Sequence, residues 1–294
     1  MAGKSEKLKV ILWGLGKNLE KNILAIGSRI QKGEIEIIAV TDKNKDCITY
    51  NSQYRFVAID ELSIITKDID YVLVTTTKYY EEVKEQAINQ GFEAERIIPA
   101  NALAVLNKTS ISQIAIFLKR HLSILSNNCW GGITYHSLCM GFYSPLINMA
   151  VKNDDEYLKL VSNLKFYMVQ PVEYVGVGHN QAKGFDYPIG KIGDVTLDFI
   201  HYQNFEEAVK CWERRKRRIN YDDLFIMMYS ENYETAMRFQ EVPIKNKVIF
   251  VPNEYNLEYA YWLKNDKQYK NFWEVVIDAA SGHNAQYDLS QFIK

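Results

Sequence analysis

Residues 9–19 read KVILWGLGKNL, and this stretch decides the fold of the N-terminal part of the chain. An apolar run ends in the glycines of GLG, a helical spacing of apolar residues spans 19–30, and a second apolar run covers 35–40. A strand, a helix and a strand within about thirty residues form a β-α-β unit, which makes the two strands parallel. The stretch therefore predicts an α/β domain.

Further apolar runs continue the same alternation. Strands are predicted at 56–59, 71–75 and 96–98, with a helix at 79–89. Alternating strands and helices are typical of a doubly wound parallel sheet with helices on its faces. We therefore predict a Rossmann-like nucleotide-binding domain over residues 1–107.

The GLG turn resembles the dinucleotide fingerprint G-x-G-x-x-G, except that Leu19 stands where the third glycine belongs. The backbone N–H groups of such a turn bind phosphate at a helix N-terminus. Asp42, 26 residues after Gly16, follows the second strand, where a carboxylate accepts from a ribose hydroxyl. The predicted nucleotide or nucleotide-sugar site comprises Gly14, Gly16, Lys17, Asn18, Asp42 and Thr75. The alternative is that the glycines only form the turn and Asp42 caps it.

Composition excludes several classes of protein. The 294 residues are 47% hydrophobic and carry 35 basic and 36 acidic side chains, which excludes disorder and gives no global charge for binding nucleic acid. The longest stretch without Asp, Glu, Lys or Arg, residues 121–151, contains asparagine, glycine and proline, which a membrane span does not tolerate together. The cysteines lack C-x-x-C spacing and the histidines are scattered, so no metal site is predicted. The N-terminal apolar run is too short for a signal sequence, and we expect a cytoplasmic protein.

Residues 108–294 are predicted to form a second α/β domain. Its strands are expected at 122–125, 146–149, 173–177, 195–200, 224–228 and 248–251, with helices from 111, from 133, at 154–164 and at 205–218. Thr109 or Ser110 is the predicted N-cap of the first of these helices. The strands are assigned to one further α/β sheet.

Five motifs in the second domain carry a resemblance to a known family. In chain order they are NNCWGG (127–132), YSP (143–145), YPIGKIGD (187–194), FIHY (199–202) and EEAVKCWERRKRRIN (206–220). Together they resemble a family of bacterial exopolysaccharide-biosynthesis proteins, whose shared domain would cover about residues 111–294. The resemblance implies a role in making or modifying surface polysaccharide, and it supplies no reaction.

Ligands of open α/β sheets bind beyond the carboxyl ends of the strands. The residues at those ends are Asn127, Asn128, Cys129, His201, Ser230, Glu231, Asn232, Asn253 and Glu254. Cys129 stands at a strand-to-helix turn, a place that lowers a thiol pKa, so Cys129 and His201 are the predicted catalytic pair for acyl or phosphoryl transfer. The alternatives are a buried, inert cysteine and a structural histidine.

The remaining candidates bind substrate. The NNCWGG turn supplies Asn127, Asn128, Trp130, Gly131 and Gly132, and the basic helix supplies Arg215 and Arg218 as a clamp for a diphosphate. The alternative for the arginines is a solvated helix face. Asp194 and Asp198 share one strand face, which we interpret as an exposed polar face rather than a magnesium site.

Two classes of function follow from these residues. The leading hypothesis is a transferase of exopolysaccharide biosynthesis whose ligand is a nucleotide or a nucleotide sugar. The alternative is a non-catalytic nucleotide-sugar-binding protein that assembles, through peripheral contact, with a membrane glycosyltransferase complex. An NAD-dependent sugar oxidoreductase comes third, because the fingerprint lacks its third glycine.

Overall fold

Three sheets organise the residues that the computed structural model describes, which are 6–44, 54–282 and 286–294. Two of the sheets are parallel and helices alternate with their strands, so the α/β class predicted from the sequence is confirmed. The described residues form two units. The first comprises those up to Arg120 together with those of His136–Met140 and Ser281–Asp288, and the second comprises the rest.

The first sheet lies in the first unit. Its elements are β1 (Leu8–Trp13), α1 (Lys17–Gln31), β2 (Ile35–Thr41), β3 (Tyr71–Val74), α2 (Tyr80–Asn89) and β4 (Ile97–Pro99), followed by the short helix α3 (Ala102–Val105). The strand order is β2-β1-β3-β4, and all neighbours are parallel. Apolar side chains such as Ile11 and Val72 are fully buried, which explains why nearly every predicted element lies within two residues of these bounds.

The strand predicted at 56–59 is the exception. Phe56 forms one isolated bridge with Val40, and a 3-10 helix then covers Ile59–Ile64. Two acidic residues occupy the first turn of this helix, where carboxylates are stabilised by the helix N-terminus. Leu62 is fully buried, so the segment fills the core from a helical turn instead of a strand.

The helix predicted after residue 110 is α4 (Ile111–Phe117). Ser110 caps it, because its hydroxyl accepts from the backbone N–H of Gln113 and the Gln113 side chain accepts from the backbone N–H of Ser110. Asp288 holds the preceding turn by accepting from two backbone N–H groups at 2.5 and 3.0 Å. The helix belongs to the first of the two units. The domain boundary at residue 107 stays a prediction.

The second unit carries the other two sheets. Its strands are β5 (Ser123–Ser126), β6 (Glu173–Asn180), β7 (Phe185–Ile192), β8 (Val195–Asp198), β9 (Leu224–Tyr229), β10 (Lys247–Val251) and β11 (Ala260–Trp262). The helices after α4 are α5 (Trp130–Ser137), α6 (Asp154–Ser162), α7 (Leu164–Met168), α8 (Phe205–Lys216), α9 (Tyr233–Phe239) and α10 (Phe272–Ala280). The second sheet has the strand order β11-β10-β9-β5 and is parallel throughout.

The strands predicted at 173–177 and 195–200 do not join this parallel sheet. They correspond to β6 and β8, and with β7 they form a separate antiparallel sheet of order β6-β7-β8. Short connections explain the difference, because only two residues, Gly193 and Asp194, join β7 to β8, and Gly193 adopts a φ of +54°. A parallel pair needs a crossover of about a dozen residues, which these connections do not provide.

The strand predicted at 146–149 is also absent from the described sheets. Asn148 has a φ of +64°, which interrupts an extended chain. Pairing is limited to Ala150, which forms an isolated antiparallel bridge with Asp198. This bridge holds the loop after residue 149 against the end of β8.

Candidate functional site

A pocket with a volume of about 760 Å³ opens at the carboxyl ends of β5 and β9 in the second unit. Both strand ends, the segment after β8, the β6–β7 turn and α10 contribute to it. Its lining residues are 127–129, 133, 150–152, 154, 180, 183, 200–201, 229–232, 273 and 277. We call this cavity the strand-end pocket.

The pocket brings together three groups of residues that the sequence places at strand ends. Residues 127–129 follow β5, His201 follows β8, and residues 230–232 follow β9. The strands β5 and β9 are neighbours in the sheet, so their carboxyl ends lie side by side. Asn253 and Glu254, the fourth predicted group, are not among the lining residues.

Asn127 joins two strands at the pocket wall. Its amide nitrogen donates to the backbone oxygen of Tyr229 at 3.0 Å, and its amide oxygen accepts from the backbone N–H of Tyr229 at 3.2 Å. Its backbone oxygen accepts from the N–H of Val151 at 3.0 Å. The side chain is buried and continues the β5–β9 ladder, so Asn127 shapes the pocket.

The NNCWGG turn is fixed by hydrogen bonds within the segment itself. The Ser126 hydroxyl donates to the backbone oxygen of Asn128 at 2.7 Å and accepts from the N–H of Gly131 at 3.0 Å. The Asn128 amide oxygen accepts from the N–H of Trp130 at 2.8 Å. These contacts hold the start of α5 against the end of β5.

Three predicted substrate-binding residues of this turn do not line the pocket. Trp130 is 1% exposed and packs among core aromatic rings, so it is a core residue. A Cβ atom at Gly131 would lie 2.8 Å from Ser126 Oγ, so the glycine permits the close approach of α5 to β5. Gly132 also belongs to the turn, and its position leaves ordinary space for a Cβ.

Asn128 retains one polar group without a partner. Its buried amide nitrogen has no hydrogen-bond acceptor in the part of the chain that the structure describes. A buried donor left unpaired costs about 1–3 kcal/mol. Asn128 itself is one of the lining residues of the strand-end pocket.

Cys129 lies in the pocket, but its surroundings do not activate the thiol. Burial raises the pKa of Cys129, and the positive charge of Lys183 opposes this only in part. The strand-to-helix turn predicts a lowered pKa, which burial opposes. Two N–H groups of this turn are already engaged by Ser126 and Asn128. Within the described ranges no hydrogen bond joins Cys129 to His201.

His201 follows β8 and is exposed at the pocket. Its backbone N–H donates to the backbone oxygen of Asn148 at 3.1 Å. The imidazole is only partly desolvated, which lowers the pKa of His201, and the Lys183 charge lowers it further. The side chain is therefore neutral at neutral pH and able to accept a proton.

Lys152 is a pocket residue that no sequence signal singled out. Its ammonium donates to the Tyr187 hydroxyl at 2.5 Å and to Asp198 Oδ1 at 3.0 Å. Burial lowers the pKa of Lys152, but these two hydrogen bonds outweigh it, and the net shift is upward. The prediction that Asp194 and Asp198 share an exposed face is wrong for Asp198, which is buried where Ala150 bridges the end of β8.

The two predicted clamp arginines are not brought to the pocket. Arg215 is buried, and its guanidinium donates to the Tyr202 hydroxyl at 2.5 Å and lies 5.1 Å from the centre of the Phe142 ring. Arg218 is exposed on the chain after α8. Arg215 therefore holds α8 to the core, and neither arginine lines the strand-end pocket.

The predicted nucleotide site of the first unit surrounds the β1–α1 turn. Gly14 has a φ of +105°, and its backbone oxygen accepts from the Thr75 hydroxyl at 2.6 Å. The Asp42 carboxylate accepts from the N–H of Leu15 at 2.5 Å and from that of Asn44 at 2.8 Å. This is the geometry of the alternative interpretation, in which Asp42 caps the turn.

The other members of the predicted nucleotide site lie at the start of α1. Gly16 and Lys17 are exposed, and Gly16 precedes the first helical residue. The backbone oxygen of Asn18 accepts from the amide of Asn22 at 2.8 Å. Nucleotide binding by these residues stays a prediction.

The described residues contain no cluster of three or more His, Cys, Asp or Glu side chains arranged to hold a metal ion. No helix in the same ranges is long and apolar enough to cross a membrane.

Comparison with known proteins identifies the family of the chain. Residues 104–294 match the model of a family described as a domain of unknown function, DUF1919. The chain belongs to this family. Residues 6–98 match a second model, described as C2185-like, N-terminal. The DUF1919 match covers every residue of the strand-end pocket and all five sequence motifs.

Two further similarities are more distant. An uncharacterized protein of Haemophilus influenzae is 30% identical over 177 residues, which are 59% of this chain and 82% of that protein. A solved structure from Desulfitobacterium hafniense, described as a "putative nadph-dependent oxidoreductase", is 14% identical with a TM-score of 0.29. That match covers 66% of each chain. A likeness of this size carries no argument about function.

Proposed function

We propose that this chain is a transferase of surface-polysaccharide biosynthesis that binds a nucleotide sugar or another phosphorylated sugar in the strand-end pocket. The observation that carries the proposal is the composition of this pocket, which combines an exposed indole, amides, carboxylates and two lysines. The resemblance of the five motifs to exopolysaccharide-biosynthesis proteins supports the polysaccharide context. The proposed ligand site lies in the second unit, whereas the nucleotide site predicted from the sequence lies in the first.

The pocket suits a sugar because it offers both an apolar surface and polar partners. Trp273 is 45% exposed, and an indole face packs well against the C–H face of a pyranose ring. The amide oxygens of Asn180 and Asn232 accept from backbone N–H groups. Among the residues that the structure describes, their amide nitrogens have no hydrogen-bond partner and remain as donors for a ligand. The carboxylate of Glu231 accepts from hydroxyl groups.

His201 is the proposed catalytic residue. It is neutral at neutral pH because burial lowers its pKa, so it is able to accept a proton from an acceptor hydroxyl. In the transfer step the acceptor oxygen bonds to the anomeric carbon while His201 takes the proton. The bond from the anomeric carbon to the phosphate oxygen breaks, and its electron pair leaves with the phosphate. Cys129 has no part in this step, because its thiol is not activated.

A non-catalytic binding protein is the second candidate. One observation favours it: within the described part of the chain, no hydrogen bond orients the His201 imidazole, whereas a catalytic histidine is commonly held by a second group. Turnover separates the two candidates. A binding protein shows ligand-dependent stabilisation without product.

The test is a thermal-shift and calorimetry panel of UDP-, GDP- and CMP-sugars, with NAD(P) and acyl-CoA as other classes. Trp273→Ala should weaken binding of the hit about tenfold or more, because the stacking surface is lost. Trp262→Ala is the matched control, since Trp262 is 39% exposed in the same unit but lies outside the pocket. Equal effects of both substitutions, or no shift with any nucleotide sugar, would overturn the proposal.

The catalytic part is tested with the same panel. His201→Gln should keep the affinity for the donor and abolish transfer to an acceptor. Binding without any turnover in the unsubstituted protein would support the binding-protein candidate instead.

A further inference from the structure

Lys152 is held in one position by a buried carboxylate. The side chain of Asp198 is 9% exposed, while that of Lys152 is 55% exposed and lines the strand-end pocket. The ammonium donates to Asp198 and to the hydroxyl of Tyr187. An ammonium has three N–H donors, so one remains for a ligand.

The backbone fixes this arrangement from both sides. The N–H of Ala150 donates to the backbone oxygen of Asp198 at 2.9 Å, and the N–H of Asp198 donates to that of Ala150 at 2.9 Å. Lys152 follows two residues after this bridge. Its charge is therefore placed at the pocket before any ligand binds, which reduces the ordering cost of binding.

Lys183 reaches the same pocket from the β6–β7 turn. This turn is closed by the amide oxygen of Asn180, which accepts from the backbone N–H of Lys183 at 3.1 Å. Cys129 and His201 line the same pocket, and the Lys183 charge lowers the pKa of both side chains. The side-chain ammonium of Lys183 has no hydrogen bond or ion pair within the ranges that the structure describes.

The pocket lining carries charges of both signs. Lys152, Lys183 and His201 line it together with Asp154 and Glu231. Asp154, two residues after Lys152, accepts from the Ser230 hydroxyl at 2.6 Å, and Glu231 follows the end of β9. Sugar hydroxyls suit the carboxylates, and an anionic group suits the lysines.

We infer that Lys152 and Lys183 form an anion site that binds the phosphoryl group of the ligand, with Asp198 and Tyr187 as positioning residues for Lys152. This inference rests on the proposed function and assigns the part of the pocket that recognises phosphate. The anion is a nucleoside diphosphate or a prenyl diphosphate, which share this chemistry. Neither lysine belongs to a recognisable sequence motif.

The test measures the binding of inorganic pyrophosphate, UDP and geranyl diphosphate to the full chain by calorimetry. Lys183→Met and Lys152→Met should each weaken pyrophosphate binding about tenfold to a hundredfold, because each removes a charge-assisted hydrogen bond. Lys152→Arg should restore most of the affinity. UDP binding tighter than geranyl diphosphate identifies a nucleotide ligand, and the reverse order identifies a lipid-linked one.

A second lysine, whose carboxylate partner also accepts from a tyrosine, serves as a matched control for Lys152 and Asp198. Lys159 donates to Asp194 at 2.8 Å, and Tyr167 donates to the same carboxylate at 2.6 Å, outside the pocket. Lys159→Met and Asp194→Asn should leave pyrophosphate binding unchanged. Asp198→Asn removes the carboxylate that positions Lys152 and should weaken pyrophosphate binding. Because it also removes a negative charge, it should make the remaining binding depend more steeply on salt, which a purely structural loss would not do.

The outcomes separate this inference from the proposed function. A nucleotide sugar that binds through Trp273 with unchanged affinity in both lysine variants overturns the anion site and leaves the proposed function standing. Pyrophosphate binding that depends on both lysines, without binding of any sugar ligand, supports the anion site and overturns the proposed function. No pyrophosphate binding by the unsubstituted protein overturns the inference. Circular dichroism and the melting temperature without ligand confirm that each variant folds.

Discussion

At the scale of single residues, His201 combines two effects of the same sign. Burial and the Lys183 charge both disfavour the imidazolium, so the pKa of His201 lies below its ordinary value of 6.5. As pH falls through 6.5, the unfolded chain binds this proton before the folded chain does. Titration of His201 therefore lowers the free energy of unfolding as pH falls below 6.5. Above pH 6.5 it leaves the stability unchanged.

Replacing Lys183 tests this electrostatic account. Lys183→Met should raise the pKa of His201, because the positive charge that opposes protonation is removed. The measurement is an NMR titration of the His201 ring protons, assigned with His201→Gln. Lys159→Met removes a lysine outside the pocket and should leave the titration unchanged. An unchanged pKa in Lys183→Met would show that the two groups do not interact, and a lower pKa would contradict the sign of this account.

The sequence predicted some pocket residues and missed others for a physical reason. Residues 127–129 and His201 follow apolar runs, so their place at strand ends could be inferred from local pattern. Lys152, Lys183 and Trp273 carry no such signal, because their positions depend on contacts distant in sequence. Lys152 is an example, since its partner Asp198 lies 46 residues away.

At the scale of elements, the β5–α5 turn depends on one glycine more than on its neighbour. The Ser126 hydroxyl is fixed by two hydrogen bonds, and it occupies the place where a side chain at Gly131 would begin. A side chain at Gly132 would meet Ile147 at 3.6 Å, which is ordinary contact. Two adjacent glycines of one helix thus have opposite tolerance to the same substitution.

Gly131→Ala should destabilise the protein by about 1–3 kcal/mol, because Ser126 has no room to move away. Gly132→Ala should be neutral or stabilise it by up to about 1 kcal/mol, since alanine favours the helix. Urea unfolding of both variants measures the difference. In a Ser126→Ala background the cost of Gly131→Ala should fall. Similar stability of the two alanine variants would contradict this account of the turn.

Elements with buried apolar runs were predicted well, and those defined by their connections were not. The strands β1 to β4 and helix α2 follow the predicted pattern because each strand is a short apolar run in a parallel sheet. The antiparallel sheet was missed because its middle strand, β7, was not predicted, and β7 contains Pro188. Proline normally argues against a central strand, so the local signal was misleading.

At the scale of the whole molecule, each unit has a turn after its first strand, and the two turns differ in what they leave available. In the first unit, the Asp42 carboxylate and the Thr75 hydroxyl already form hydrogen bonds with the backbone of the turn. In the second, the amide nitrogen of Asn128 is unpaired within the described part of the chain. The second turn also opens into a pocket that contains Lys183. This difference between the two turns favours the second unit as the place of ligand binding.

Hydrogen exchange with and without a saturating nucleotide sugar locates the site directly. Ligand at about 100 times its Kd stabilises the folded state by about 2.7 kcal/mol, which slows globally exchanging amides about a hundredfold. Because the ligand contacts the strand-end pocket, protection should appear in peptides covering residues 127–133, 150–154 and 229–232. Peptides covering 14–19 should show less protection, since the Asp42 carboxylate already engages that turn. Protection confined to 14–19, and lost in Asp42→Ala but not in Lys183→Met, would place the ligand in the first unit.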